Sequence, residues 1–254
     1  MRIDLNSDVG ESYGAWQMGQ DEALIPLVTS VNIACGAHAG DPQVMRATVE
    51  LARRHGARIG AHPGYPDREG FGRRDFGLSA AELEASLLFQ LGALEAFVRA
   101  AGERLSHVKP HGALYNRAAR DAGVARAIAT AIARFDPNLV LVGLAGSQLV
   151  EAGRASGLRV AAEAFADRAY EADGSLRSRR HADAVLADAE AAAEQAVSIV
   201  VLGKVTAVDG SDVAIRADTL CIHGDTPDAP HYARAVREAL LAAGVSVEPF
   251  AADA

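Results

Sequence analysis

The polar chemistry of this chain is gathered in a few short segments. One runs Asp4-Leu5-Asn6-Ser7-Asp8-Val9-Gly10-Glu11 and a second Asn32-Ile33-Ala34-Cys35-Gly36-Ala37-His38-Ala39-Gly40-Asp41. The others are Ala61-His62-Pro63-Gly64, Lys109-Pro110-His111-Gly112 and Cys221-Ile222-His223-Gly224-Asp225. Of eight histidines, His38, His62, His111 and His223 fall in these segments close to Gly or Pro, whereas His55 and His231 lie in helical patterns. An imidazole with a pKa of about 6.5 can move protons at neutral pH, and a neutral ring nitrogen can ligate a metal. Residue type alone leaves both chemistries open. A single aspartate near a turn is commonly a cap or an Asx-turn, so Asp8 gains weight only from its company.

Lys109 shares strand parity with His111 and should point inward with it. A buried ammonium is unfavourable without a partner or a task; a substrate anion would serve, and so would Asp8 or Asp225. Cys35 and Cys221 read as small buried side chains rather than nucleophiles. Arg73, Arg74, Arg177, Arg179 and Arg180 stand in loops, where they are either solvated surface or within reach of a carboxylate ligand. Gly143-Leu144-Ala145-Gly146-Ser147 precedes a helix and could hold an anion on backbone amides, but it lacks the lysine of a P-loop.

The elements that must position these residues follow from periodicity. Short β-rich runs at 2–5, 30–34, 58–61, 107–110, 139–144, 159–163 and 219–223 alternate with helical patterns, the rhythm of βαβ units and a parallel sheet. The clearest helix is 79–102: Ser79 and Glu82 form a capping-box pattern, and Leu83, Leu87, Leu91, Leu94 and Val98 recur at spacings of three and four. Asp41-Pro42 starts another helix and Gly56 ends it. A last one is expected at 230–243, and the Ala-rich stretch 182–196 reads as an outer helix. Asp209-Gly210 between alternating runs predicts a hairpin near 204–216. The expectation is a single α/β domain over 1–254, a (β/α) barrel with about seven parallel strands. In such barrels the strand C-termini and βα loops carry the chemistry, and every segment above ends a strand.

Composition excludes other classes. The 254 residues carry 25 Lys+Arg and 33 Asp+Glu, a net charge of −8, so no basic excess exists to neutralise nucleic-acid phosphates. With 50% apolar and 23% charged residues, the chain has a globular composition. No apolar run approaches the roughly 18 residues of a membrane span, the N-terminus lacks a signal-peptide pattern, and the two cysteines form no close pair. A cytoplasmic location is the expectation.

These strand-end motifs, extended by Tyr65-Pro66-Asp67 after the His62 segment, Val108 to Asn116 around His111 and Phe165-Ala166-Asp167-Arg168-Ala169-Tyr170, closely resemble the LamB/YcsF family across essentially the whole chain, with no departure at the motifs. The resemblance implies a distorted barrel similar to the glycoside hydrolase/deacetylase superfamily. It implies ATP-dependent opening of the cyclic amide 5-oxo-L-proline (pyroglutamate) to L-glutamate by a 5-oxoprolinase, with ATP and Mg²⁺ as cosubstrate. The family supplies the A component of that enzyme and acts with partner subunits B and C, which fits the missing nucleotide motif. On this reading Asp8, His62, Lys109 and His111 are catalytic: Asp8 or one of the histidines is the general base, and Lys109 steadies developing negative charge. Asn6, Glu11, Asn32, His38, His223 and Asp225 hold substrate. Replacing Lys109 with Met is expected to abolish turnover and leave the fold intact. The superfamily likeness also implies an alternative, a metal-dependent amidohydrolase or deacetylase with Asp8, His62 and His111 on a divalent ion. A non-catalytic lactam-binding subunit is a third reading. Whether a metal is tightly bound stays open at this point.

Overall fold

Inward-facing polar residues gather at the centre of this barrel, beside a small apolar cluster of Val140, Val142 and Ala161. The computed structural model describes residues 1–226 and 228–250. Among them, β1 (Arg2–Val9), β2 (Ser30–Ala34), β3 (Arg58–His62), β4 (His107–Val108), β5 (Val140–Leu144) and β6 (Arg159–Phe165) pair in sequence order. An antiparallel hairpin, β7 (Lys204–Thr206) with β8 (Asp212–Ala214), then leaves the sheet. The chain returns as β9 (Thr219–His223), which pairs with both β6 and β1 and so closes a seven-stranded parallel barrel. A short β10 (Ser246–Val247) adds to the start of β1.

The helices are α1 (Asp21–Leu24), α2 (Pro42–His55), α3 (Ala80–Ala100), α4 (Gly112–Ala118), α5 (Ala122–Phe135), α6 (Gln148–Ala155), α7 (Ala189–Val197) and α8 (Ala229–Ala242). Their starts are chemically explicit. The Asp41 carboxylate accepts from the Gln43 and Val44 amides, and Ser79 and Glu82 form a reciprocal capping box; each such cap is worth about 1 kcal/mol. Leu83, Leu87, Leu91, Leu94 and Val98 of α3 are all buried against the barrel, each contributing roughly 1.5–3 kcal/mol of burial. No helix of the described residues is long and apolar enough to cross a membrane.

Three boundary shifts have a clear cause. β1 runs on to Val9 because Asp4, Asn6 and Asp8 keep the inward alternation and all find partners inside. β4 stops at Val108, although the Lys109 amide still bonds to the Ala61 carbonyl; Pro110 has no N–H to continue the ladder. The Ala-rich helix begins only at Ala189, capped by Asp188. Residues 182–188 instead pair with the loop after β6: Leu186 donates its amide to Asp167, and the Ala184 carbonyl accepts from Arg168. Those tertiary bonds override the helix propensity of alanine.

Candidate active site

Side chains from strands that are not neighbours meet at the barrel centre. Low in the interior, Asn6 donates to Glu163 Oε1 (3.0 Å) and Thr219 Oγ1 (2.7 Å), while Asn32 donates to Asn6 Oδ1 and Asp8 Oδ1, both at 2.8 Å. His107 Nε2 lies 2.8 Å from Asn32 Oδ1. Gly60 makes room for that ring, since a Cβ there would fall 2.0 Å from it. Burial, reinforced by Lys109 and His62, pulls the His107 imidazole down to about 3.

Above this layer sits Lys109, 2% exposed. Its Nζ is 2.9 Å from Asp8 Oδ1, 2.8 Å from Glu163 Oε1 and 3.0 Å from Cys221 Sγ. Burial opposes its charge, yet Asp8, Cys221 and Glu163 outweigh that and hold its pKa well above the usual value. Burial likewise opposes ionisation of Asp8, and His62 and Lys109 reverse it, keeping that carboxyl well below the ordinary range. Tyr115 donates to the other Glu163 oxygen at 2.6 Å. The Cys221 thiol is pushed up by burial, which removes it as a thiolate nucleophile.

At the mouth, His62 Nδ1 is 2.7 Å from the Lys109 carbonyl and His111 Nε2 is 2.8 Å from the Phe71 carbonyl. A carbonyl only accepts, so each of these nitrogens carries the proton. The remaining nitrogens, His62 Nε2 and His111 Nδ1, face each other at 2.9 Å. His62 Nε2 is also 3.4 Å from Asp8 Oδ2, and Glu11 Oε1 stands 3.3 Å from His111 Nδ1 and 3.4 Å from His38 Nε2. Glu11 Oε1 and both His38 ring nitrogens have no hydrogen-bond partner among the described residues. Burial, and then the other imidazoles, lowers the pKa values of His38 and His111 well below the usual value; burial and the Asp8 and Asp225 charges raise that of Glu11. One donor atom from each of Glu11, His38, His62 and His111 lies within 4.8 Å of the others; Asp8, Cys221 and His223 form a second such group.

A cavity of about 1020 Å³ opens over this floor, lined among others by Asp8, His62, Lys109, His111, Phe165 and His223. Arg168, Arg179 and Arg180 share its lining. His223 Nδ1 is 3.0 Å from Asp167 Oδ1. Burial opposes ionisation of that carboxyl, but His223 and Arg168 bring it to about 2. Asp225 pairs with Arg73 and, at 3.6 Å, with Arg179.

The structure therefore brings Asp8, His62, Lys109, His111 and His223 to one cavity. Asn6 and Asn32 are not part of its lining: they are buried and hydrogen-bonded to Glu163, Thr219, Asp8 and each other. Glu11 and His38 are buried behind His62 and His111. Asp225 is tied to arginines, and Arg74 and Arg177 are paired with Asp67 and with Glu171 and Asp183. Ser147 caps α6 instead of opening an anion site. Sequence reasoning missed Glu163, Asp167, Tyr115 and His107. Glu163 had a signal, a lone acid at the inward end of an otherwise apolar strand; the partners of His107 and Tyr115 had none.

The LamB/YcsF family profile matches residues 3–254. The A subunit of 5-oxoprolinase from Chloroflexus aggregans is 59% identical over 247 residues, covering 97% of this chain and 98% of the relative. Its counterpart from Methylococcus capsulatus is 57% identical over 245 residues, covering 96% and 94%. The crystal structure of a lactam utilization protein from Thermus thermophilus matches with a TM-score of 0.93 at 54% identity, covering 98% of this chain and all of that one (100%).

Proposed function

Because the chain belongs to the LamB/YcsF family, we propose that it opens the lactam of 5-oxo-L-proline as the A component of an ATP-dependent 5-oxoprolinase, releasing L-glutamate. The observation that supports this best is the joining, in one cavity, of proton-handling groups (Asp8, His62 and His111) with guanidinium groups (Arg168, Arg179 and Arg180). A five-membered lactam is an unreactive amide. Transfer of the ATP γ-phosphoryl to its carbonyl oxygen makes the carbonyl carbon electrophilic. ADP is the leaving group of that transfer. Water then adds, the C–N bond breaks as the ring nitrogen takes a proton, and a second water hydrolyses the resulting acyl phosphate to carboxylate and phosphate. Asp8, kept ionised, or one of His62 and His111 takes the proton from water. Lys109 supplies fixed positive charge below the reacting carbonyl, though its donors are engaged by Asp8, Glu163 and Cys221. The arginines suit the substrate carboxylate or the phosphoryl group. ATP with Mg²⁺ enters as cosubstrate, and subunits B and C supply the nucleotide chemistry for which this chain has no P-loop. The location is cytoplasmic.

One observation favours a second reading, a metal-dependent hydrolase of a small amide. His62 Nε2 and His111 Nδ1 converge with Asp8 Oδ2 nearby.

Glutamate release from 5-oxo-L-proline with ATP and Mg²⁺ tests the proposal, using the chain alone and mixed with its B and C partners. Release only in the complete mixture is expected. No glutamate in any mixture overturns the proposal; lactam binding without chemistry would then leave a delivery subunit, and amide hydrolysis by the chain alone without ATP would leave the metal-dependent hydrolase.

A further inference from the structure

The hydrogen-bond count at the top of the barrel does not close. His62 Nδ1 and His111 Nε2 donate to backbone carbonyls, so in neutral rings the lone pairs of His62 Nε2 and His111 Nδ1 point at each other across 2.9 Å. Glu11 Oε1 adds a third electron-rich atom 3.3 Å from His111 Nδ1. His38 Nε2 is 3.4 Å from that oxygen, and neither Glu11 Oε1 nor either His38 nitrogen has a partner among the described residues. All four residues are buried, His38 and His62 at 1% exposure. Each buried polar atom left unmet costs about 1–3 kcal/mol, and facing lone pairs add repulsion. A single proton among these atoms can join two of them at most, whereas one cation meets all four at once.

We infer that Glu11, His38, His62 and His111 form a binding site for one divalent transition-metal cation, with three imidazoles and one carboxylate as ligands. The nitrogen-rich donor set suits Zn²⁺, Co²⁺ or Ni²⁺; Mn²⁺, Mg²⁺ and Ca²⁺ prefer oxygen-rich shells. The surroundings match a built metal centre. Two ligand rings donate their other N–H to carbonyls, which fixes tautomer and orientation. The rings of His38 and His111 stack at 3.7 Å with 2° between planes. Gly64 and Gly72 let backbone lie close against them: a Cβ at either position would come within 2.8 Å of His38, and at Gly72 within 2.7 Å of His111. Asp8 stands outside the set: its Oδ1 is held by Lys109 and Asn32, and among the described residues its Oδ2 reaches only His62, at 3.4 Å. The four donors that lie within 4.8 Å of one another are those of Glu11, His38, His62 and His111. Glu11, not Asp8, is therefore the carboxylate ligand. This rests on and deepens the reading of the same cavity as the reaction site: a cation held by His62 and His111 places a Lewis acid beside Asp8 and, with both imidazoles engaged as ligands, leaves Asp8 as the base.

The test reads metal content and not turnover, so this inference and the proposed activity can fail separately. Full-length chain without a histidine tag is stripped with a chelator, dialysed, and loaded separately with Zn²⁺, Co²⁺, Mn²⁺ or Mg²⁺. About one equivalent of Zn²⁺ or Co²⁺ should survive gel filtration and raise Tm, and Mn²⁺ and Mg²⁺ should not; the Co²⁺ form should absorb in the visible. Glu11→Gln and His38→Gln should each weaken Co²⁺ binding about tenfold or more, while Asp8→Asn retains it. Wild-type chain that holds no cation and shows no Tm response overturns the inference in favour of a proton shared by His62 and His111. Loss of metal in Asp8→Asn with retention in Glu11→Gln overturns it in favour of an Asp8 site. Should a variant fail to fold by circular dichroism, wild-type stoichiometry and the Co²⁺ spectrum decide.

Discussion

Two layers of one barrel interior use the same residue types to opposite ends. In the lower layer Asn6, Asn32, His107, Glu163 and Thr219 satisfy one another, donor to acceptor, at 2.7–3.0 Å. In the upper layer Glu11, His38, His62 and His111 are as deeply buried, yet Glu11 Oε1 and the His38 ring find no partner. Burial of polar groups does not distinguish the layers; unmet hydrogen bonding does. The lower layer is a polar core that holds strands in register, and the upper layer is incomplete without something bound. Lys109 joins them, held by Asp8 above and Glu163 below.

The comparison breaks first at Lys109. Lys109→Met leaves two buried carboxylates without their cation, and removing one partner of a buried pair costs about 3–5 kcal/mol. Urea denaturation should show a loss of that size together with lost turnover. The structure thus changes the expectation that this variant leaves the fold intact; a loss below about 1 kcal/mol would show that the lower layer does not depend on its central charge.

A pH series sharpens the comparison with a smaller effect. His107 is held at about 3 in the folded chain against about 6.5 when unfolded. The unfolded chain therefore binds this proton first: the contribution to stability is complete above about pH 6.5 and is lost as pH falls through that window toward about 3. His38 and His111, also lowered, act with the same sign. Asp4, raised to about 6 by burial, acts oppositely, losing stability as pH rises from about 4 to 6. The informative quantity is the difference between variants: His107→Gln should lose less unfolding free energy than wild type between pH 6.5 and 4, by up to about 1.4 kcal/mol per pH unit. Equal slopes would place the His107 proton elsewhere.

The smallest effect belongs to the upper layer. In metal-free protein Glu11→Gln removes a buried carboxylate oxygen that has no hydrogen-bond partner, so stability should change by less than about 1 kcal/mol or rise. Thermal unfolding of stripped samples measures it. A loss as large as that of Lys109→Met would erase the difference between the layers.

Much of the fold was legible in the sequence because its determinants are local. The Ser79–Glu82 capping box and the leucine stripe of α3, the Asp41 cap and the Gly56 stop of α2 all act within a turn or two of the chain. Strand parity likewise sent Lys109 inward, and the clustering of histidines at strand ends located the mouth. Tertiary structure decided the rest. Asn6, Asn32, Glu11 and His38 are buried outside the cavity lining; residues 182–188 leave their helical pattern to bond with the β6 loop. Thr219 reaches Asp4 across 215 residues of sequence. Which inward groups meet depends on the register with which seven strands close. That register is a property of the whole ring, so the chain by itself named the polar residues, and only the closed barrel determined which of them would be left without partners.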